Sequence, residues 1–512
     1  MKHLSRARVS LLPGVVGMLL VCALPAIAGP SGESLRRETV RTAEVLPSRS
    51  VDTLQLPTLG DASSRIISPQ LERQIGEDFL RQLYASLPTS RDPLLKYYVS
   101  VHVSQLATYS ELADALLRAV LIDNKEINAF AAPGGVIGVN AGLFLYAEDV
   151  NEYSSVLAHE LAHLSQRHFA RGVEEAQQQT IPTVASLIAA IAIAAMGGGD
   201  AGLAALSGVQ AAAQARQLRY SRARETEADR IGINTLVRAG LDPQGMPRMF
   251  ERMHQAYRFT RTPPEFLLTH PLTDTRVADT RQQVRSLGTL PHQRHSPIDA
   301  ADYALMRART MVHYADSPQA AVASFEKRLK ENPDDTSAEY GLALALAATG
   351  KHDAALAITE SLLGTDPQKI LYICAHAEAL IDAGRAGDAA NLLSRHLVLN
   401  PDNAPLSTLY AQALSAQHQY ADAQTVLERQ SLLNPRDIDV WYDLAETAGL
   451  ASDVIGVHRA RAEFFALHGS YSRAIQHLEY AQRLISRTDR RLRAQIDQRI
   501  MDLREALRTA QS

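Results

Sequence analysis

The stretch Leu157-Ala158-His159-Glu160-Leu161-Ala162-His163-Leu164 decides how this chain is read. Two imidazoles stand four residues apart, with a carboxylate beside the first. On a helix, positions i and i+4 share a face. Both histidines then reach one zinc ion, and Glu160 sits where it can deprotonate a water held there. Leu157, Leu161 and Leu164 recur at i, i+4 and i+7, which is the helical period. At about 100° per residue they point nearly opposite to the histidines, so one face anchors in a core while the other looks into a cleft. The competing reading is a buried or solvated helix whose histidines only hydrogen-bond, and the surrounding sequence has to decide between the two.

A catalytic zinc needs a third protein ligand and an open position for water. His168 is nearest, but it follows His163 by five residues, and Gln166 stands where a metzincin would have glycine. Five helical residues turn about 500°, which directs His168 away from the ligand face and makes it a surface or packing histidine. The segment Glu225-Thr226-Glu227-Ala228-Asp229-Arg230-Ile231-Gly232 is the better source. Glu225 and Asp229 are again i and i+4, and the small Ala228 and Gly232 share their face and let another helix approach closely. That suits Glu225 as third ligand and Asp229 as the acceptor that fixes a histidine tautomer. An ordinary charged helix surface is the alternative. Glu227 points away and is expected to be solvated.

Residues 136–139, after the turn Pro133-Gly134-Gly135, form a short strand. Beside a metal, an edge strand made of Val136, Ile137, Gly138 and Val139 pairs with extended substrate backbone and binds peptide with little sequence preference. A plain hairpin in a small sheet is compatible with the same residues.

Taken together, these pieces resemble the gluzincin metallopeptidases that include the CAAX prenyl protease and the bacterial heat-shock membrane protease. The matching segments are His159-Glu160-x-x-His163, Glu225-x-x-x-Asp229, Asn128 to Val139 with Gly142-Leu143, and His270-Pro271 followed by Arg276. The resemblance covers roughly residues 66–290. The resemblance implies one zinc per chain on His159, His163 and Glu225, with Glu160 as catalytic base. It also places His270 near the metal, either stabilising the tetrahedral oxyanion or occupying the open metal position as a fourth ligand until displaced. Arg276 supports either role or holds the local fold through an ion pair. Neutral histidines are needed for binding, so activity should fall at acid pH. No serine nucleophile elbow is present, and Cys374 has no catalytic signature.

The N-terminus has a basic n-region (Lys2, Arg6, Arg8), an apolar run from Val9 to Leu24 and a small-x-small site at Ala26-Ile27-Ala28. It reads as a secretory signal peptide over residues 1–28, with an uncleaved anchor as the rival. Its removal takes away three positive charges and no acidic residue, moving the formal charge from −4 to −7. A mildly acidic chain without basic blocks argues against nucleic acid as a partner. Cys374 then remains alone, so no intrachain disulfide can form.

Residues 181–213 are strongly apolar and interrupted by Gly197-Gly198-Gly199-Asp200. The first run, Ile181 to Met196, falls short of the roughly 20 residues that span a bilayer. A hydrophobic hairpin or lid beside the active site is expected, and peripheral contact with a membrane surface is the second reading.

In the C-terminal part, Asn332-Pro333, Asp366-Pro367, Asn400-Pro401 and Asn434-Pro435 recur every 34 residues. Ala321, Ala355, Ala389 and Ala423 keep the same interval, and Gly350 and Gly384 share one phase. This is the tetratricopeptide period, each unit a helix pair closed by proline. His418 then replaces the glycine, and Gly469 with Ala474 restores the pattern 51 residues later. An extra helix around 453–467 is expected there, with a charged amphipathic tail over 487–512 capping the array.

The expected order is signal peptide 1–28, flexible segment 29–65, zinc metalloprotease domain 66–290, linker 291–299, repeats 300–486 and capping helix 487–512. The fold class is an α+β zincin-type protease domain, mostly helical with a small sheet near 97–145, followed by an all-α tetratricopeptide solenoid. This order resembles periplasmic proteases of outer-membrane protein quality control. It implies unfolded or stalled outer-membrane proteins as substrates and contact with the β-barrel assembly machinery through the repeats. A non-proteolytic chaperone or adaptor acting through the repeats is the alternative.

Overall fold

The computed structural model describes residues 67–112, 117–177, 222–257, 265–288, 296, 298–486 and 488–511. The expected signal peptide 1–28, the segment 29–65, the apolar run 181–213 and most of the expected linker lie outside the described residues.

The protease part opens with two proline-started helices, α1 (Pro69–Ser86) and α2 (Pro93–Ala107). Ser68 and Asp92 cap them, Asp92 accepting from the backbone N–H groups of Leu94 and Leu95. A sheet of β1 (Arg118–Ile122), β2 (Ala129–Ala132) and β3 (Val136–Asn140) follows. Helix α2 occupies the start of the region expected to be sheet. Its buried Leu95, Val99, His102, Val103 and Leu106 keep the helical period, so the strands are confined to 118–140.

The sheet order is β1-β3-β2. β3 pairs in parallel with β1 and antiparallel with β2. This corrects the expectation for Val136, Ile137, Gly138 and Val139. They are buried in the central strand, with a neighbouring strand on each side, and offer no free edge to a substrate. The crossover after β1 brings β3 home between the other two strands, an order that the local pattern does not encode. The free edge on the other side of the sheet belongs to β2.

Helices α3 (Gly142–Tyr146), α4 (Val150–Ser165) and α5 (His168–Gln177) come next. They are followed by α6 (Arg222–Arg238), α7 (Gly245–Tyr257), α8 (Glu265–Thr269) and α9 (Asp274–Ser286). Asp149 caps α4 through the N–H groups of Asn151 and Glu152. Helix α4 packs against β2, α2, α6 and α7. Every residue from Tyr153 to His163 is buried, so the histidine face meets other elements rather than an open cleft.

Eleven helices run antiparallel from α10 (Ala300–His313) to α20 (Tyr471–Leu484), with α21 (Arg490–Gln511) closing the array. Ala321, Ala355, Ala389 and Ala423 are buried between paired helices. Gly350, Gly384, His418 and Ser452 turn the chain in the left-handed region at φ 78°, 75°, 62° and 62°, again 34 residues apart. The turn therefore outlasts its glycine. A helix does occupy the 453–467 region, α19 (Val454–Leu467), but with Ser452 keeping the 34-residue interval it is the regular second helix of its pair rather than an extra one, and Gly469 at φ 69° turns the chain once more into α20. Ile496, Ile500 and Leu503 of α21 are buried with Leu478 and Ala481 of α20, as suits a capping helix.

The solenoid returns to the protease. Tyr303 on α10 stacks on Phe144 and donates its hydroxyl to the Ala147 carbonyl at 2.9 Å. Farther along, Lys96 reaches Asp437 at 2.7 Å and Asp439 at 2.5 Å, and Arg436 reaches Glu77 at 2.7 Å. A cavity of about 1470 Å³ lies between, lined by residues including Tyr84, Arg118, Thr408, Trp441 and Tyr471.

Candidate metal centre

Three elements meet at one point. Helix α4 brings His159, Glu160 and His163, α6 brings Glu225 and Asp229, and the turn after α8 brings His270. The close approach of α6 to α4 depends on Gly232. A Cβ there would stand 3.2 Å from the His159 backbone nitrogen and 2.9 Å from the Met246 methyl. The small-residue face read from the sequence is thus the one that docks on the histidine helix.

His159, His163, Glu225 and His270 are all buried, and one ligand atom from each lies within 4.8 Å of the others. The Nε2 atoms of His159 and His163 are 2.9 Å apart. Each lies 3.5 Å from a Glu225 oxygen. His270 Nδ1 is 3.2 Å from Glu225 Oε1 and 3.4 Å from His159 Nε2. Two imidazole nitrogens and a carboxylate, with a third imidazole in reach, are a donor set that could hold one metal ion. Glu160 stands beside it, 3.4 Å from His270 Nε2, and neither of its buried oxygens makes a full hydrogen bond among the described residues. The Ala131 backbone N–H on β2 leans toward it, which makes β2 the sheet edge next to the site.

Behind the donors lies a buried scaffold. Asp229 Oδ1 is 2.9 Å from His159 Nδ1. Arg276 grips Asp229 with two nitrogens at 2.8 and 2.7 Å, reaches Glu225 Oε2 at 2.8 Å and donates to the Pro271 carbonyl at 2.9 Å. One guanidinium thus ties the metal-facing carboxylate, the partner of His159 and the loop that carries His270.

His168 and Glu227 depart from the sequence reading. His168 is fully buried, with Nδ1 2.7 Å from His163 Nδ1 and Nε2 3.0 Å from Glu227 Oε2. Glu227 is half-buried and also accepts from Arg171 at 2.9 Å. The cause is a break in the helix. Helix α4 stops at Ser165, and Arg167 takes φ 49°. A new helix opens at His168, whose ring faces His163. A 100° step carried past Ser165 cannot anticipate this, and with Arg167 on one side of His168 and Phe169 on the other the local sequence carries no clear signal of it.

Burial and charge set the protonation of the site before a metal enters. Burial works against an imidazolium at His159, but Asp229 and Glu225 outweigh it and hold its pKa up at about 9. Burial, reinforced by His159, drives His163 well below the usual histidine range. Burial lowers His168 to about 4 despite Glu227. Burial also pushes the Glu160 carboxyl up, whereas for Glu225 the burial penalty is overcome by His270, His159 and His163, and its carboxyl is held well down.

Comparison with known proteins agrees with this geometry. The profile of Peptidase family M48 matches residues 93–284, and that of the Tetratricopeptide repeat matches 314–375 and 380–446. The beta-barrel assembly-enhancing protease of Yersinia pestis is 31% identical over 465 residues, covering 89% of this chain and 93% of that protein. The protease of the same name in Escherichia coli (strain K12) is 32% identical over 356 residues, covering 69% and 72%. The mitochondrial metalloendopeptidase OMA1 of Schizosaccharomyces pombe is 27% identical over 216 residues, covering 41% and 60%. With its donor cluster assembled on the His-Glu-x-x-His helix and relatives of this identity along most of its length, the chain belongs to peptidase family M48 and is a metalloprotease with a tetratricopeptide-repeat tail.

Proposed function

We propose that this chain is a periplasmic zinc endopeptidase in the assembly and quality control of outer-membrane proteins, cleaving misfolded or stalled substrates. The observation that carries the reading is the buried convergence of His159, His163, Glu225 and His270 around one point, with Glu160 beside it. His159 and His163, through Nε2, and Glu225 would hold the ion. The chemistry a zinc ion would supply there is polarisation of the scissile carbonyl and acidification of water near neutral pH. Glu160 takes the proton of the attacking water and passes it to the leaving amine; its raised affinity for a proton suits that exchange. Asp229 orients His159, and Arg276 holds Asp229 and Glu225 in place. An extended substrate pairs with the β2 edge, Ala129–Ala132, rather than with β3. His270 lies within reach of both the donors and Glu160, so it serves as a fourth ligand at rest or as oxyanion donor during attack. His270→Ala separates the two: activity rises if it blocks and falls if it assists.

The setting rests on the relatives and on the leader read over residues 1–28. Among the described residues no helix is long and apolar enough to cross a membrane. The repeats would offer a surface for the β-barrel assembly machinery.

The test is cleavage of an unfolded outer-membrane β-barrel protein by the mature chain and by Glu160→Gln, with metal content measured in parallel. The variant should keep fold and metal and lose about 10²–10⁴-fold in rate. Equal cleavage by both would remove Glu160 as base. If neither cleaves and both suppress aggregation, the repeats act alone as a chaperone or adaptor.

A further inference from the structure

His163 turns one ring nitrogen to the donor cluster and the other away from it. Nε2 lies 3.5 Å from Glu225 Oε1, and Nδ1 lies 2.7 Å from Nδ1 of the fully buried His168. A neutral imidazole that binds a metal through Nε2 carries its proton on Nδ1. His163 Nδ1–H therefore donates, and His168 Nδ1 accepts. The proton of neutral His168 is then on Nε2, the atom 3.0 Å from Glu227 Oε2. Glu227 is held in turn by Arg171 at 2.9 Å. Along this row every donor faces an acceptor. The reverse assignment, with His168 Nδ1–H donating to His163, puts the His163 proton on Nε2, where the metal must bind.

We propose that His168, anchored by Glu227 and Arg171, is a positioning residue that fixes the ring orientation and tautomer of His163. This rests on the reading of His163 as a metal ligand. It gives the two histidines of the motif unlike supports. His159 Nδ1 meets the carboxylate of Asp229 directly, while His163 Nδ1 meets a second imidazole that in turn faces the carboxylate of Glu227. The second support is built by His168 at the start of α5, just after the left-handed Arg167, and by Glu227 on α6, two residues from the donor Glu225.

The experiment measures zinc affinity of the full mature chain by competition with a chromophoric chelator, alongside the thermal midpoint of the metal-free protein. His168→Leu keeps an apolar side chain of similar bulk and removes the acceptor. His168→Gln keeps an oxygen that can accept from His163 and an amide that can donate to Glu227. His168→Leu should weaken zinc binding about 10–100-fold. His168→Gln should recover most of that loss, with the metal-free midpoints of the two variants alike. Glu227→Ala, at a half-exposed site, should weaken binding in the same direction and serves if His168→Leu does not fold. Wild-type affinity in both His168→Leu and Glu227→Ala, or equal losses in His168→Leu and His168→Gln, would overturn the relay. Failure of the wild-type chain itself to bind zinc would instead overturn the metal-site reading on which it stands.

Discussion

At the scale of single residues, the site is an arrangement of protons as much as of donors. Asp229 and Glu225 hold the His159 pKa up at about 9 in the metal-free chain, while burial holds His163 well below the usual histidine range. Zinc needs both neutral. Below pH 9 one proton must leave His159 for the ion to enter, so affinity should rise about tenfold per pH unit toward 9 and level off above it. Calorimetric titration in buffers of different ionisation enthalpy should show about one proton released at pH 7 and none near pH 10. A pH-independent affinity between 7 and 9 would contradict this. The donors were legible in the sequence because i, i+4 spacing fixes a shared face whatever surrounds the helix. His168 was not, because its position depends on one left-handed residue, Arg167, that ends the helix before it.

Elements show where local pattern stops informing. The docking of α6 on α4 follows from Ala228 and Gly232, small residues on the carboxylate face, and was visible as such. The sheet order was not. Strand character is local, but which strand takes the centre depends on a crossover, and so the free edge beside the candidate site is β2 rather than β3. In the solenoid, the left-handed turn at the 34-residue interval was read through its glycines, and His418 and Ser452 adopt it without one. A non-glycine residue there costs on the order of 1 kcal/mol. Ser452→Gly should therefore raise the chain's stability by about 0.5–1 kcal/mol in urea denaturation. A loss would mean that the serine supplies a contact that outweighs its backbone conformation.

For the whole molecule, the repeats and the protease are one construction. The 34-residue period announces the solenoid, yet nothing local announces that its later helices meet α1 and α2 through charges more than 300 residues apart, as in Lys96 with Asp437 and Arg91 with Asp443. Burial raises Asp443 to about 6 in spite of Arg91, with Asp439 and Asp437 adding to the rise. An acid whose folded pKa exceeds its unfolded value binds more protons when folded. Its effect is thus to reduce stability as pH rises from about 4 to 6. Asp443→Asn should flatten that part of the stability profile and leave the protein more stable at pH 7 by on the order of 1 kcal/mol. An unchanged slope would show that Asp443 ionises normally in the folded chain.

The central claim is that side chains from separate helices hold one catalytic zinc. Metal content of the purified mature chain, measured beside that of Glu160→Gln and Glu225→Ala, tests it most directly. One zinc per chain in the first two and a loss of most of it in Glu225→Ala is the predicted result. Undiminished zinc in Glu225→Ala, or none in the wild-type chain, would contradict the account.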